Sequence, residues 1–126
     1  MLFSAFRGGV SQSCDLQRRI TDLVEERQLY LVKDLKISDI ARELGTNATY
    51  ISACINGQMG VSFPEFIAGY RVAHAQKLMR EHPEMHSVEV WEASGFNNEK
   101  TFLRCFRSQT GMTPAAWKKK GPKVSK

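Results

Sequence analysis

Two phenylalanines and three cations alternate within one short stretch near the carboxyl end of the chain. Phe102 and Phe106 are four residues apart, so on a helix they share one face. Lys100, Arg104 and Arg107 fall largely on other faces of the same helix. Such a helix anchors itself with two aromatic rings and presents its cations to an acidic partner. Because the major groove of DNA admits one helix of this kind, a nucleic-acid interface is the first hypothesis.

The other reactive side chains do not have the spacing of a catalytic or metal site. The sequence contains no Ser/His/Asp constellation, phosphate loop or carboxylate pair, so we do not expect an enzyme. His82 and His86 are four residues apart, but Pro83 indicates a turn and favours loop histidines over a metal pair. No CxxC pair is present, which favours a reducing cytoplasm over a disulfide framework. We interpret Cys105 as a small buried group rather than a redox sensor, and expect neither metal nor cofactor.

Positive charge is concentrated at and after the aromatic and cationic stretch. Residues 1–99 carry ten Lys or Arg against thirteen Asp or Glu, a balance of −3, whereas residues 100–126 carry eight cations and no acid. Such a segment attracts polyanions without choosing among them, and a solvated basic tail is the alternative. No apolar run reaches the roughly 18 residues of a membrane helix, and the N-terminus does not resemble a signal peptide. We therefore expect no membrane contact.

The apolar periodicity predicts seven helices and no firm strand, which makes the fold class all-α. The predicted helices span residues 15–29, 39–44, 47–55, 64–81, 87–94 and 98–110, with a last short helix that begins at Thr113-Pro114. Ser38 is the expected start of the second helix, and Asn56-Gly57 together with Gly60 the expected break after the third. Residues 31–37 have ambiguous spacing, for which we prefer a loop to a short strand.

The order of helices and turns repeats along the chain. A short helix ends at Gly45 and another at Gly95, 50 residues apart. The later matches are each 51 residues apart, so the second turn is one residue longer. A short helix, a glycine turn and a second helix form the helix-turn-helix pattern, and two copies in register are much stronger evidence than one. The later matching pairs are Ile51 with Phe102, Ile55 with Phe106, Gly60 with Gly111, and Phe66 with Trp117.

The second unit resembles the AraC/XylS family of bacterial transcription regulators. It carries the family's GF pair at residues 95–96, its F-x-R-x-F-R run at 102–107 and its G-x-T-P run at 111–114. The similarity covers about residues 15–120. Further matches are Ile40-Ala41, Leu44-Gly45 and Tyr50-Ile51 in the first unit, and Phe66, Arg71, Ala75 and Leu78-Met79 in the helix between the units.

The resemblance implies two homeodomain-like helix-turn-helix units joined by a long linking helix. The first unit would span 15–63, the linking helix 64–81 and the second unit 82–120, within one double helix-turn-helix domain at 15–120. Residues 1–14 would be a tail or linker remnant, and 121–126 a basic tail. In the family, the second helix of each unit enters the major groove in successive turns on one DNA face, about 34 Å apart.

The resemblance also implies a set of DNA-contacting residues on two recognition helices, at about 47–56 and 98–108. Arg104 is the strongest base reader because arginine pairs bidentately with guanine, while a structural ion pair is the alternative. Tyr50 could also stack on a sugar or pack inward, and we favour inward packing. The base-reading candidates are Thr49, Ser52, Glu99, Lys100, Thr101 and Arg104, with Ala48 and Ala53 also facing the groove. The phosphate candidates are Asn47, Tyr50, Asn98, Arg107, Lys118 and Lys119.

The chain departs from the family pattern in two places. The first recognition helix has no basic residue between Asn47 and Gln58, so we expect weak base reading or reading by Thr49, Tyr50 and Ser52. Trp91 stands where the family usually has a small alanine and needs extra room in the core.

We therefore predict sequence-specific binding of double-stranded DNA that regulates transcription in the bacterial cytoplasm, as an activator. RNA polymerase is the expected further partner, and a sensor or dimerisation domain outside this chain is the alternative to a small stand-alone regulator. Two other hypotheses stay open: a helical protein-interaction module with only nonspecific DNA affinity, and nonspecific nucleic-acid packaging.

Overall fold

The computed structural model describes residues 12–120, and within that range it contains seven α-helices and no strand. The all-α fold class is confirmed. A 3₁₀ turn (Leu29–Leu31) follows the first helix, and a π turn (Ile55–Met59) follows the third. Residues 1–11 of the predicted tail and the basic tail at 121–126 lie outside the described residues. The helices are α1 (Gln12–Glu26), α2 (Ile37–Leu44), α3 (Ala48–Cys54), α4 (Phe63–Glu81), α5 (Ser87–Ala93), α6 (Glu99–Thr110) and α7 (Pro114–Lys120).

Several helix ends differ from the sequence prediction. α1 begins at Gln12 rather than Asp15 and ends at Glu26, because Gln28 adopts a left-handed conformation with φ of 51°. α2 begins at Ile37, before the predicted start at Ser38. Lys36 holds the extended N-cap position, and its N–H donates to Asp39 Oδ2 at 2.9 Å. A carboxylate in the first turn thus fixes the start of α2 without a serine cap.

The Asn56-Gly57 pair does not end the third helical segment. After α3, the chain continues through the π turn and stops at Gly60, which has a φ of 73°. The seven residues of α3 and the five of the π turn equal the twelve residues of α6. π-helical turns are rare and occur mostly as single turns within α-helices, frequently at functional sites.

The two short helices, α2 and α5, end in the same hydrogen-bonded turn. Gly45 and Gly95 have φ of 71° and 93°, a left-handed conformation that glycine adopts without steric cost. The N–H that follows each glycine reaches back over the turn: Thr46 donates to Ala41 O at 2.9 Å, and Phe96 donates to Trp91 O at 3.1 Å. The predicted repeat is therefore visible in the backbone.

The chain divides into two compact units between Ile67 and Ala68, within α4. In the first unit, Arg19 of α1 and Arg27, which directly follows α1, both contact α2. Arg19 Nη2 donates to Leu44 O at 3.1 Å, and Arg27 forms a 2.8 Å ion pair with Glu43. The buried side chains of this unit include Ile20, Val24, Ile40, Ile51, Ile55 and Phe66.

The second unit has a core rich in aromatic rings, to which α4, α5 and α6 contribute side chains. On α4, Val72 and Met79 are buried, whereas Ala73 is exposed. Trp91 is half-buried and packs against this core, so the bulky residue is accommodated at its edge. The core cluster comprises Val72, Ala75, Met79, Val90, Phe96, Phe102 and Phe106.

Candidate nucleic-acid interface

Local interactions fix both ends of α6. Asn98 has an extended backbone, and its Oδ1 accepts a hydrogen bond from the Thr101 N–H at 2.9 Å. This satisfies one of the free N–H groups that every helix start exposes. At the other end, Gly111 has a φ of 85°, and its N–H donates to Arg107 O at 2.8 Å. The helix therefore begins and ends where the sequence indicates.

A chain of aromatic rings holds the inner side of α6. Phe102 and Phe106 are fully buried, and their ring centroids lie 5.7 Å apart in an edge-to-face arrangement. Phe96 continues the series at 5.3 Å from Phe102, and Trp117 at 5.9 Å from Phe106. Edge-to-face pairs are favoured by the ring quadrupole, so these contacts fix the rotation of α6 about its axis as well as its position.

The three cations of α6 lie on its exposed side. Lys100, Arg104 and Arg107 are four and three residues apart, which places them on one face, away from the two buried phenylalanines. None of the three forms an ion pair within residues 12–120. The structural ion pair considered for Arg104 thus has no partner carboxylate in the described part of the chain. The other candidates on α6 are Glu99, which is exposed, and Thr101, which is half-buried.

Helix α3, the first predicted recognition helix, is also capped by an asparagine and anchored by buried apolar residues, but it carries no charge. Asn47 is its N-cap, and Asn47 Oδ1 accepts from the Tyr50 N–H at 3.0 Å. Ile51 and Cys54 are buried, and the π turn adds Ile55 and Met59 to that side. Thr49 and Ala53 are exposed, while Ala48 and Ser52 are half-buried. The surface of this helix therefore offers methyl and hydroxyl groups.

The preference for inward packing of Tyr50 is wrong. Its side chain is 61% exposed, because the neighbouring Ile51 takes the buried position. The sequence predicts Asn56 as the end of the first recognition helix and not as a site residue. Asn56 is exposed, and its Nδ2 donates to Ser52 Oγ at 3.3 Å. The continuation of the helix into the π turn is what brings Asn56 beside Ser52.

Two of the phosphate candidates lie on α7. Lys118 and Lys119 are both exposed. The Nζ of Lys118 donates to Pro83 O at 2.8 Å and so ties α7 to the loop between α4 and α5. Lys118 keeps further N–H donors, since an ammonium group has three. Lys120 ends the same helix and is an exposed cation that the sequence-based set did not include.

Two exposed histidines and one half-buried cysteine were the other reactive side chains considered from the sequence. His82 and His86 are exposed, and His82 Nδ1 is 3.7 Å from Glu84 Oε2. Cys105 is half-buried, and burial raises the pKa of its thiol, although the charges of Arg104 and Arg71 act in the opposite direction. A raised thiol pKa disfavours the reactive thiolate. Within residues 12–120, none of the helices combines the length and apolar character needed to cross a bilayer.

Comparison with known proteins identifies the family. The helix-turn-helix domain family matches residues 18–120. The HTH-type transcriptional regulator YtdP of Bacillus subtilis is 31% identical over 85 residues, which cover 68% of this chain. The same match covers 11% of that protein, so the chain spans about a ninth of its length.

Solved structures share the fold. The C-terminal domain of AraT, a response regulator from Geobacillus stearothermophilus, has a TM-score of 0.72 at 22% identity and covers 82% of this chain and 83% of that one. The C-terminal domain of the two-component response regulator yesN from Fusobacterium nucleatum has a TM-score of 0.70 at 21% identity and covers 82% and 98%. With two helix pairs that each turn at a left-handed glycine and a family match over residues 18–120, the chain belongs to the AraC-type helix-turn-helix family of DNA-binding transcription regulator domains.

Proposed function

We propose that this chain regulates transcription by binding double-stranded DNA sequence-specifically, with α6 and α3 in the major groove. The observation that carries the proposal is the division of α6 into two sides. Phe102 and Phe106 are buried, while Lys100, Arg104 and Arg107 are exposed and lack ion-pair partners within residues 12–120. Exposed cations on a firmly held helix suit the acidic and hydrogen-bonding surface of a DNA groove.

On α6, we assign base reading mainly to Arg104 and Lys100. The guanidinium of Arg104 can donate two parallel hydrogen bonds to guanine O6 and N7, and Lys100 can donate to the same atoms. Glu99 can accept from cytosine N4, and Thr101 can bond either partner of a base pair. Arg107, near the end of the helix, is assigned to a phosphate, which positions the protein without specifying sequence.

On α3, we assign base reading to Thr49 and Ser52, and phosphate contacts to Asn47 and Tyr50. Phosphate oxygens accept hydrogen bonds, so the Nδ2 groups of Asn47 and Asn98 would donate to a phosphate while their Oδ1 atoms accept the capping bonds. Lys118 and Lys119 supply further phosphate contacts from α7. Affinity should therefore come mainly from the second unit, because all the cationic candidates for DNA contact lie there.

The wider setting of the chain is also a proposal. We take residues 15–63, 64–81 and 82–120 as first unit, linking helix and second unit, working in the bacterial cytoplasm. RNA polymerase is the further partner expected of an activator. A sensor or dimerisation domain is a second expected partner, because the chain spans only 11% of the length of its Bacillus relative.

The experiment is selection of bound duplexes from a random pool, followed by titration of the enriched site. Arg104→Ala should weaken binding by about 1–3 kcal/mol and relax the preference at one base pair. Arg80→Ala is the matched control, because Arg80 is an exposed arginine of α4 and lies outside α3 and α6. If Arg104→Ala retains both the affinity and the enriched site, Arg104 is not the base reader.

A second candidate function is a helical protein-interaction module with only nonspecific DNA affinity. The uncharged surface of α3 favours it, since that helix lacks the long basic readers of α6. The same selection separates the two functions. Enrichment of no motif, with binding that varies only with salt, would support the second candidate.

A further inference from the structure

The first unit carries a different recognition chemistry from the second. We infer that α3 recognises A·T base pairs through the 5-methyl group of thymine and an adjacent adenine. The inference rests on the proposed function, because it assumes that α3 enters a major groove. It identifies the bases that an uncharged recognition helix can distinguish.

Beside the exposed Tyr50, part of the surface of α3 is formed by small side chains, three of which carry a methyl group. Ala48, Thr49, Ser52 and Ala53 line one open depression, together with Ile37 at the start of α2. None of the twelve residues of α3 and the π turn is charged. This surface has no arginine or lysine to pair with guanine O6 and N7, which is the commonest specific contact in the major groove.

Thymine is the base that such a surface can distinguish by apolar contact. Its C5-methyl group projects into the major groove, and alanine and the threonine methyl are suitable apolar partners for it. Thr49 and Ala53 are both exposed on α3 and border the same depression. Burial of one methyl group corresponds to roughly a three- to fourfold gain in affinity.

Asn56 supplies the polar half of the same recognition. Its Nδ2 donates to Ser52 Oγ at 3.3 Å, which holds the exposed amide beside the methyl-bearing surface. An asparagine amide pairs bidentately with adenine N7 and N6. Methyl contacts and one amide therefore discriminate A·T from G·C without a cation.

Deoxyuridine substitution isolates the methyl group, because deoxyuridine pairs like thymidine but lacks the 5-methyl. Each thymidine of the selected site is replaced in turn, and the dissociation constant is measured for the wild type and for two variants. Thr49→Ser removes the side-chain methyl and keeps the hydroxyl, whereas Thr49→Val keeps the methyl and removes the hydroxyl. Thr49 is exposed, so both variants should fold, and circular dichroism verifies this.

We expect at least one position where deoxyuridine weakens binding of the wild type and of Thr49→Val by roughly three- to fourfold. At that position Thr49→Ser should show no penalty. Equal penalties for the wild type and Thr49→Ser at every position, or no penalty anywhere, would overturn the inference. If Arg104→Ala still weakens binding to the same duplex, the proposed function stands although this inference fails. A random pool from which no motif is enriched would overturn both the inference and the proposed function.

Discussion

The imidazole of His74 on α4 lies 3.1 Å from the hydroxyl of Ser94, measured from Nδ1 to Oγ. Ser94 is fully buried and directly precedes Gly95 in the turn between α5 and α6. The hydrogen bond therefore joins the long helix to the turn that sets the direction of α6. Arg71 lies one helical turn earlier on α4, and its Cζ is 6.0 Å from the ring centroid of Phe96. Because Phe96 directly follows Gly95, this contact also involves the turn between α5 and α6.

Stability of the second unit should fall at mildly acid pH through His74. Burial, with a smaller effect from the charge of Lys77, lowers the pKa of His74 below its ordinary value of 6.5. The unfolded chain then binds the proton more readily than the folded one, so stability is full above pH 6.5 and is lost as the pH falls towards the lowered pKa. Melting followed by tryptophan fluorescence reports this unit, because Trp91 and Trp117 both belong to it.

His74→Gln should make the melting temperature less dependent on pH between pH 7.5 and pH 5 than it is in the wild type. His82→Gln is the control, because it removes an exposed histidine from the loop after α4. An identical pH dependence in wild type and His74→Gln would show that His74 does not carry the effect.

The two asparagine caps should stabilise their own units. Loss of an N-cap side chain costs about 0.5–2 kcal/mol. Asn98→Ala should therefore lower the denaturant midpoint of the tryptophan signal, since Asn98 caps α6 in the same unit as both tryptophans. Asn47→Ala is its counterpart in the first unit. It should lower helical stability by circular dichroism with a smaller effect on the tryptophan transition, and equal effects on that transition would contradict the assignment.

Substitution of Lys118 and of Lys119 should affect the stability of the protein differently, although both residues contact phosphate in our proposal. Each alanine variant should reduce the salt dependence of DNA binding by about one unit of slope. Only Lys118→Ala should also lower the melting temperature, because Lys118 Nζ donates to Pro83 O at 2.8 Å. Titrations at several salt concentrations, with a melt of each variant, measure both quantities. An unchanged slope would remove that lysine from the phosphate-contacting set.

Phe106→Ala should destabilise the second unit severely. The side chain is fully buried between Phe102 and Trp117, and truncation of a buried phenylalanine costs about 3–5 kcal/mol. The Trp117 emission should move to longer wavelength as its ring partner is lost. Leu103→Ala, at a 40% exposed position of the same helix, is the control and should change stability by much less.

Much of the fold could be predicted because its signals are local. Asn98 and Gly111 bound α6 by their own side-chain and backbone chemistry, and the spacing of Phe102 and Phe106 identifies its buried side. The repeat of these signals around α3 also made the helix-turn-helix architecture predictable. The seven α-helices of residues 12–120 follow the predicted order, with errors mainly at their ends.

The differences arise where tertiary contacts outweigh local preference. Asn-Gly ordinarily favours a turn, but burial of Ile55 and Met59 keeps the backbone helical through a π turn and exposes Asn56. Tyr50 lies outside the core because Ile51 occupies the inward position beside it. The hydrogen bond from Lys118 to Pro83 joins residues 35 positions apart, which no local pattern indicates.

The two predicted recognition segments, residues 47–60 and 98–111, have the same kinds of residues at their ends, and this affects how the protein can evolve. Each segment is bounded by a capping asparagine and a left-handed glycine, and its apolar side is fixed by buried residues. Substitutions at exposed positions away from such features usually change stability by no more than about 0.5 kcal/mol. The residues at a few exposed positions of each segment can therefore change while the protein stays folded. In the function proposed above, such drift after gene duplication would change the DNA sequence that is bound without compensating mutations in the core.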